Sequence, residues 1–177
     1  MSTKANESSF WKRLKKRIES EPGLVATRIE NSSTPGIPDL LICDRKKNLH
    51  LIELKVCLGN KVNLSPHQVS FATRHQCARV WVLAEKQNAP GPACYLYRSN
   101  SVLQLASSDI KTTAPDLIFD LKTDFKNFIC WLENSTKLWD SSDTPITKSA
   151  DNETIPRKTT RPFASQPQAQ KDSKRCF

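Results

Sequence analysis

The sequence predicts an α/β domain with a mixed central sheet, in which a helix, three antiparallel strands, a second helix and a further strand follow one another. Three segments carry this prediction. They are an amphipathic basic stretch over 7–20, two apolar runs joined by a short basic turn within 36–56, and a helix start at 65–66 that precedes an aliphatic run over 79–84. Helical spacing in the first segment, and short apolar runs bounded by turn residues in the others, are typical of such a layered fold.

The first helix is predicted over 7–20 because Trp11, Leu14 and Ile18 recur at helical spacing and Phe10 widens the apolar stripe. Its other faces carry a run of basic residues, namely Lys12, Arg13, Lys15, Lys16 and Arg17. Such a run is either a solvated helix face or a surface that contacts phosphates. Glu-Pro-Gly at 21–23 ends the helix, and a strand is predicted over 24–30.

The two apolar runs on either side of 45–48 are predicted to pair as an antiparallel hairpin, because the turn has no room for a crossover helix. Centring the turn on its middle two residues sets the register to within a couple of residues and places Asp39 opposite Leu54, with Glu53 and Lys55 as flanking neighbours. Residues two apart on a strand share a face, so Glu53 and Lys55 point the same way. Two carboxylates and an ammonium group are therefore expected at one end of the hairpin.

Such a cluster costs desolvation free energy unless the carboxylates share a cation or are otherwise paired. Carboxylate oxygens are the ligands that suit Mg²⁺ or Mn²⁺. The alternative is a surface hairpin with an exposed Glu–Lys ion pair, which is a common and weak interaction. Pro38 restricts the backbone just before Asp39, and Gly36 makes it more flexible. The charged residues also interrupt runs that are otherwise aliphatic, so a cation site is favoured.

The turn of this hairpin contributes three candidate phosphate-binding residues, Arg45, Lys46 and Lys47. Asp44 precedes them at the end of the hairpin that is far from Glu53. We therefore assign Asp44 to turn formation and not to the cation site.

Ser65 as the N-cap and Pro66 at the first helical position predict a second helix that runs to about residue 76. Its inward-facing stripe is predicted to consist of Val69, Phe71, Ala72 and Cys77. The aliphatic run over 79–84 follows as a strand parallel to the strand before the helix. Residues 93–98 are predicted to form an edge or antiparallel strand.

The chain beyond residue 100 gives weaker signals. A strand is predicted over 117–121, and an amphipathic helix over 124–133 is expected to cover the sheet. From about residue 141 the chain is rich in Ser, Thr, Pro, Gln and charge, which predicts a disordered, basic tail. We therefore expect a core over 1–100, an extension over 101–138 that packs on it, and a tail over 139–177.

Composition favours a polyanionic partner. The 177-residue chain has a formal net charge of +9, and only 37% of its residues are hydrophobic. Nucleic acid is the simplest partner to infer for a chain with this excess of positive charge. The six cysteines show no metal-binding spacing, so free thiols in a reducing cytoplasm are expected. No apolar run is long enough to span a bilayer, so no membrane association is predicted.

The motif Gly-Ile-Pro-Asp at 36–39, followed by Glu-Leu-Lys at 53–55, resembles the PD-(D/E)xK nuclease superfamily. The residue pattern of the motif is most similar to the VRR-NUC and Holliday junction resolvase-like branch of phages and bacteria. The resemblance covers roughly the first hundred residues. It implies a restriction-endonuclease-like core and Mg²⁺- or Mn²⁺-dependent cleavage of DNA in repair, recombination or phage replication. It also implies a cytoplasmic location in a bacterial or phage-infected cell. Resolvases of the superfamily act as dimers, so a homodimer is one option for the assembly.

The resemblance assigns roles to individual residues. Asp39, Glu53 and the backbone carbonyl of Leu54 would bind the metal ion, and Lys55 would orient or help deprotonate the attacking water. Gln68 matches the Ser-x-x-Gln start of the corresponding helix in the VRR-NUC branch, where it would complete the catalytic site. A polar residue facing water is the alternative for Gln68.

Two acidic residues compete for an additional metal-ligand position that the superfamily often takes from the helix before the sheet. Glu7 lies on the buried stripe of the first helix, although an acidic residue in a first turn is ordinarily only a partner of the helix dipole. Glu30 ends the first strand close to the loop of Gly36. Both assignments remain open at this point.

The main rival to a nuclease is a noncatalytic DNA-binding or accessory module that has kept the fold. An RNA-directed nuclease is a further option, because phosphate contacts do not discriminate between sugars. The three histidines, His50, His67 and His75, have no partner at nucleophile or zinc spacing, which argues against a histidine-dependent nuclease.

Overall fold

The computed structural model of the chain describes residues 3–29, 33–87 and 93–135, with the side chains of 3–5 excepted. Its four α-helices are α1 (Thr3–Glu19), α2 (Pro66–Arg74), α3 (Val102–Ser107) and α4 (Phe125–Asn134). Its six strands are β1 (Val25–Arg28), β2 (Leu40–Cys43), β3 (Leu49–Cys57), β4 (Val80–Lys86), β5 (Ala93–Arg98) and β6 (Leu117–Asp120). The predicted tail over 139–177 and the candidate ligand Glu30 lie outside the described residues.

All six strands belong to one mixed sheet, whose spatial order is the order of the chain. β3 and β4 are parallel and are joined through α2, whereas every other neighbouring pair is antiparallel. The predicted α/β class, the meander of β1 to β3 and the crossover to β4 are therefore confirmed. β5 is antiparallel to β4 but is not an edge strand, because β6 pairs along its other side.

Helices cover both faces of this sheet. On one face α1 and α4 pack against the strands through a cluster that includes Phe10, Leu14, Phe125, Phe128, Leu40, Ile52, Leu54, Trp81 and Leu83. On the other face α2 and α3 pack through a second cluster that includes Ala72, Val102, Leu105, Val80, Val82 and Tyr97. Because side chains alternate along β3 and Leu54 belongs to the first cluster, Glu53 and Lys55 point toward the second face.

The turn between β2 and β3 has three loop residues, 45–47. Its backbone N–H at Lys47 donates to the Asp44 carbonyl over 3.0 Å, and the Asp44 N–H donates to the Asn48 carbonyl over 3.0 Å. Lys47 adopts a φ of 67°, the left-handed conformation that closes hairpins of this length. The side chain of Asp44 accepts hydrogen bonds from the backbone and side chain of Asn48, each over 2.8 Å, so its assignment to turn formation is confirmed.

This turn changes the predicted strand register by one residue. Leu40 pairs with Ile52, so Asp39 lies opposite Glu53 and not opposite Leu54. The prediction centred the turn between two residues, whereas an odd-numbered loop has its centre on one. The carboxylates of adjacent strands are consequently brought closer to each other than the sequence indicated.

Several element boundaries differ from the prediction. α1 begins at Thr3, so Glu7 is not in its first turn, and α2 ends at Arg74, two residues early. Cys77 is exposed and does not extend the inward stripe of α2. The short helix α3, preceded by a 3-10 turn at Ser99–Ser101, was not predicted.

The region over 101–138 contributes directly to the sheet and its cover within the described residues. Its strand β6 pairs with β5, and Phe125, Phe128 and Leu132 of α4 are buried in the first cluster. The five cysteines of the described residues, Cys43, Cys57, Cys77, Cys94 and Cys130, are free thiols. None of the described helices combines the length and the hydropathy that crossing a bilayer requires.

Candidate active site

Asp39 lies where the ladder between β2 and β3 ends. Its backbone carbonyl accepts a hydrogen bond of 2.7 Å from the Ile29 N–H, and its Oδ2 accepts one of 2.9 Å from the Leu54 N–H. A carboxylate thus takes the place of the next ladder partner and ties the start of β2 to β3. The N–H and C=O of a strand residue point to the same side, so the Leu54 carbonyl also faces the side of Asp39.

Glu53 and Lys55 form a close ion pair beside Asp39. The Nζ atom of Lys55 lies 2.9 Å from Glu53 Oε1, and the two side chains are only 5% and 12% exposed. The same Nζ atom donates to Oε1 of Glu7 over 3.3 Å. The structure therefore brings together Asp39, Glu53, Lys55 and Glu7, which lie on three different elements of the fold.

Gln68 joins this cluster from the first turn of α2. Its side-chain Nε2 donates to Glu53 Oε1. Its side-chain Oε1 accepts from the Ser65 N–H over 2.8 Å, and its own N–H donates to Ser65 Oγ over 3.3 Å. This reciprocal pair is a capping box, for which Ser-x-x-Gln is the sequence signature. The helix cap therefore orients the amide so that its nitrogen faces the carboxylate of Glu53.

Glu7 reaches the site from the second turn of α1, so a role as a first-turn partner of the helix dipole is not supported. Its carboxylate is 23% exposed and contacts Lys55 across 48 positions of sequence. The apolar stripe of α1 places Glu7 there, since Phe10, Leu14 and Ile18 are buried against the sheet. Glu7 continues this stripe toward the N-terminus, and its side chain lies over the end of β3.

Burial makes Glu53 an unusual carboxyl group. Desolvation raises the pKa of Glu53 to about 7, Lys55 opposes this shift, and the charges of Asp39 and Glu7 add to it. Burial by itself would lower the pKa of Lys55, but Glu53, Glu7 and Asp39 outweigh that effect and leave the pKa of Lys55 raised. Lys55 therefore remains a cation near neutral pH, while Glu53 lacks full charge compensation.

The loop before Asp39 packs directly on the start of α2. Gly36 has a φ of +91°, and a Cβ atom added to it would lie 2.4 Å from the backbone carbonyl oxygen of His67. Only glycine fits this approach without movement of the loop or the helix. The position of Asp39, three residues further on, is thereby coupled to the helix that carries Gln68.

An open cleft of about 250 Å³ lies on this cluster and is lined by Glu7, Arg28, Asp39 and Leu54. Arg28 was not among the predicted site residues. It is the last residue of β1 and pairs with Leu40, the residue after Asp39. A basic residue at a strand end gives no distinctive signal by itself, and only the strand register shows that it borders the cleft.

Comparisons of the sequence with models of protein families and with curated proteins find no match.

Mg²⁺ and Mn²⁺ are the ions that the oxygen ligands of this site suit. Within residues 3–29, 33–87 and 93–135, no group of three or more His, Cys, Asp or Glu side chains is arranged to hold a metal ion. Mg²⁺, however, is ordinarily held by one or two carboxylates together with waters and substrate phosphates. Asp39, Glu53 and the Leu54 carbonyl provide hard oxygen ligands, and Asp39 Oδ2 is already held beside β3 by the Leu54 N–H. The residues present fit such an ion.

The predicted phosphate-binding residues lie in two separate places. Lys12, Lys15 and Lys16 are exposed on α1, and Lys15 forms an i,i+4 ion pair of 3.6 Å with Glu19. The second group, Arg45 to Lys47, lies in the turn at the far end of the hairpin from Asp39.

The turn also has an internal role that the sequence did not reveal. Arg45 Nε lies 2.5 Å from Glu133 Oε1, and Lys46 Nζ donates to the Glu133 carbonyl over 3.0 Å and to Asn134 Oδ1 over 2.9 Å. These bonds satisfy polar groups at the C-terminal end of α4 and tie it to the hairpin.

His50 is part of the core. Its ring is fully buried between Asp44 Oδ2, 3.2 Å from Nε2, and the indole N–H of Trp81, which donates to Nδ1 over 3.2 Å. Because Nδ1 accepts a hydrogen bond, the proton of the neutral ring is on Nε2 and faces Asp44. Burial lowers the pKa of His50 although Asp44 opposes the shift, so the ring is neutral at pH 7.

Proposed function

We propose that the protein is a metal-dependent nuclease with a restriction-endonuclease-like core that hydrolyses phosphodiester bonds in DNA. One observation carries the proposal. The motif residues lie side by side, because Asp39 accepts from the Leu54 N–H between Glu53 and Lys55, and Glu53 pairs with Lys55. Gln68 and Glu7 contact this Glu53–Lys55 pair. The mixed sheet supports the assignment, since its central strands carry the motif and α2 carries the glutamine.

Three groups would hold Mg²⁺ or Mn²⁺. They are the carboxylates of Asp39 and Glu53, with the Leu54 carbonyl as a further oxygen ligand. A bound divalent ion supplies a water of lowered pKa and withdraws charge from the phosphoryl oxygens. The hydrogen bonds that Asp39 Oδ2 and Glu53 Oε1 accept from the Leu54 N–H and from Gln68 Nε2 would hold the two carboxylates in place for the ion.

Lys55 acts in this proposal as a fixed positive charge. Its raised pKa keeps the ammonium group protonated, which favours orientation of the attacking water and stabilisation of the pentacovalent phosphate over proton abstraction. Glu53 and Glu7 hold Nζ from two sides, so little reorganisation is required during the reaction. Gln68 is a positioning residue that keeps the Glu53 carboxylate in one orientation.

DNA is the polyanion that the charge balance favours. The net charge is +9, and Lys12 and Lys16 are exposed on α1, the helix that also carries Glu7. The VRR-NUC resemblance favours branched or otherwise structured DNA in repair, recombination or phage replication, in the cytoplasm of a bacterial or infected cell. A homodimer would match the resolvase-like branch.

The test is a substrate panel incubated with Mg²⁺, Mn²⁺ or EDTA. It should contain linear duplex, nicked duplex, flaps, forks, four-way junctions, single-stranded DNA and matched RNA. We expect cleavage of at least one DNA substrate with either metal ion, and a loss of roughly 100-fold or more in Lys55→Met, Glu53→Gln and Asp39→Asn, which is the scale of losing a charge-stabilising group.

Lys122→Met is the matched control, because its backbone contacts Arg17, ten positions along α1 from Glu7 and therefore about 15 Å away. Full activity of Lys55→Met would refute the catalytic assignment. DNA binding without cleavage of any substrate would favour the noncatalytic module, and cleavage of RNA alone would change the substrate class.

A further inference from the structure

Lys86 is the last residue of β4 and lies at the carboxyl ends of the parallel strands β3 and β4. It pairs with Cys57, the last residue of β3, while Lys55 pairs with Ala84 two residues earlier. Residues two apart on a strand share a face, so Lys86 and Lys55 point to the same face of the sheet. One step across the strands and two residues along them separate their Cα atoms by about 8 Å. Open α/β sheets bind ligands at such carboxyl ends.

The ammonium group of Lys86 has a neutral partner. Its Nζ donates to the side-chain Oδ1 of Asn60 over 2.9 Å, and no carboxylate of the described residues forms an ion pair with it. The adjacent Glu85 points to the other face, where it binds Arg13 of α1. Burial raises the pKa of the Cys57 thiol although Lys86 opposes this shift, so the thiol is neutral. The charge of Lys86 is therefore uncompensated within the described part of the chain.

Asn60 holds this ammonium group in a defined place. The backbone carbonyl of Asn60 accepts a hydrogen bond of 2.9 Å from the Ile110 N–H, which ties the loop after β3 to the region that follows α3. The neighbouring carboxylate of Asp109 is occupied by two N–H groups of its own turn, at 2.8 and 3.0 Å. A positioned cation without a counter-charge is suited to binding an anionic ligand, because little ordering is required on binding.

The proposed reaction places the scissile phosphate at Glu53 and Lys55, on the sheet face that Lys86 shares. Lys55 is held by Glu53 at 2.9 Å and by Glu7 at 3.3 Å, so its charge is largely used within the cluster. Lys86 lies beyond Lys55 in the direction that leads away from Glu53. Its separation from Lys55 is comparable with that between neighbouring phosphates of a nucleic-acid strand. A lysine ammonium binds phosphate as a point charge.

We propose that Lys86 binds the backbone phosphate next to the scissile one and so fixes how the nucleic-acid strand lies across the carboxyl ends of β3 and β4. This inference rests on the proposed nuclease function, because it takes the scissile phosphate to lie at Asp39, Glu53 and Lys55. It adds a substrate-binding residue that the PD-(D/E)xK motif does not contain. The substrate it implies is a strand with at least one phosphodiester on the β4 side of the cleavage point.

The test combines binding with kinetics. Fluorescence anisotropy with fluorescein-labelled single-stranded and duplex DNA in EDTA gives Kd for the wild type, Lys86→Met and Lys86→Arg. Loss of one charged phosphate contact should raise Kd, and KM where cleavage occurs, about tenfold, with kcat changed less than about twofold. The slope of log K against log salt should fall by about 1. Lys86→Arg keeps the charge and should stay within about threefold of the wild type.

Two further variants control for charge and for folding. Lys126→Met is the charge-matched control, because Lys126 is exposed on α4, which covers the opposite face of the sheet, and its Kd should be nearly unchanged. Lys86→Gln removes the charge but keeps a donor for Asn60, so it should reproduce the Kd of Lys86→Met with the fold retained in urea unfolding.

A second set of oligonucleotides identifies the phosphate. Each carries one neutral methylphosphonate at a different position. At one position the substitution should weaken the wild type by the same factor as Lys86→Met and should not weaken Lys86→Met further, the signature of a coupled pair. Additive losses at every position, or a fall in kcat at unchanged KM, would overturn the inference.

The two proposals fail in different ways. A wild-type enzyme that cleaves DNA while Lys86→Met and Lys86→Gln remain unchanged refutes the role of Lys86 alone. Coupling at one phosphate in a protein that cleaves nothing supports phosphate binding by Lys86 and refutes the nuclease. A protein that neither binds nor cleaves any oligonucleotide refutes both.

Discussion

Replacing Glu53 by Gln should stabilise the metal-free protein, although it removes a proposed metal ligand. The pKa of Glu53 rises from 4.5 to about 7 on folding, so the folded state binds more protons than the unfolded state between these values. Its contribution to the free energy of unfolding therefore falls as pH rises from 4.5 to about 7 and is constant above that. Each pKa unit corresponds to about 1.4 kcal/mol, which gives a cost of about 3 kcal/mol at pH 8.

The Glu53→Gln side chain is a neutral analogue that retains an oxygen for the Gln68 amide. The expected gain in stability is about 3 kcal/mol at pH 8 and close to zero at pH 4.5, measured by urea unfolding in EDTA. Glu19→Gln is the control, since Glu19 is an exposed partner of Lys15, and its effect should stay within about 1 kcal/mol at both pH values.

The reasoning would be refuted by a Glu53→Gln variant that is less stable than the wild type at pH 8, or by a difference that does not depend on pH. Addition of Mn²⁺ then tests the link to metal binding. The wild type should gain stability with the logarithm of Mn²⁺ concentration above its Kd, whereas Glu53→Gln should gain little.

Three further predictions concern the loop, the core and the basic helix. Gly36→Ala should lower the free energy of unfolding by about 2–4 kcal/mol through backbone strain and contact with α2, while Gly59→Ala, with no atom within 4 Å of its added Cβ, should change it by less than about 1 kcal/mol in urea unfolding. His50→Gln should lower the free energy of unfolding by about 2 kcal/mol at pH 7.5. The deficit should shrink below pH 6.5, because the lowered pKa of His50 makes the wild type lose this stability as pH falls; a deficit constant between pH 7.5 and 5.5 would contradict this. Combined Lys12→Ala and Lys16→Ala should reduce the slope of log K for DNA against log salt by about 2, and an unchanged slope in anisotropy titrations would exclude phosphate contacts there.

Local patterns were sufficient for much of the fold. The Ser65–Pro66 start, the apolar stripe of α1 and the two runs of the hairpin each produced the predicted element, because capping and side-chain periodicity act over a few residues. The order of elements then left little choice of topology, since adjacent strands with a short turn pair antiparallel and a helix between strands permits a parallel crossover.

The register of the hairpin was harder to predict from the sequence. The turn residues contain no Gly, and the left-handed conformation of Lys47 is uncommon for a lysine. A loop of three residues moved Asp39 opposite Glu53. That single-residue change alters which charges face each other and hence the pKa of Glu53.

Long-range contacts account for the remaining differences. The capping box already links Ser65 and Gln68 in the sequence, but the contact of Gln68 with Glu53 requires α2 to pack on the sheet. Arg45 gave no sign that it would bind Glu133, 88 positions away. Such pairs depend on how helices pack over strands, and no periodicity encodes them.

The sequence by itself determined the α/β class, the meander and crossover, and the placement of Asp39 just before β2 and of Glu53 and Lys55 on β3, because backbone periodicity and turn length are local properties. Only the tertiary structure decided that Glu7 of α1 contacts Lys55 and that Arg28 borders the cleft. The physical reason is that strand register and the packing of α1 over the sheet depend on contacts between residues far apart in the chain.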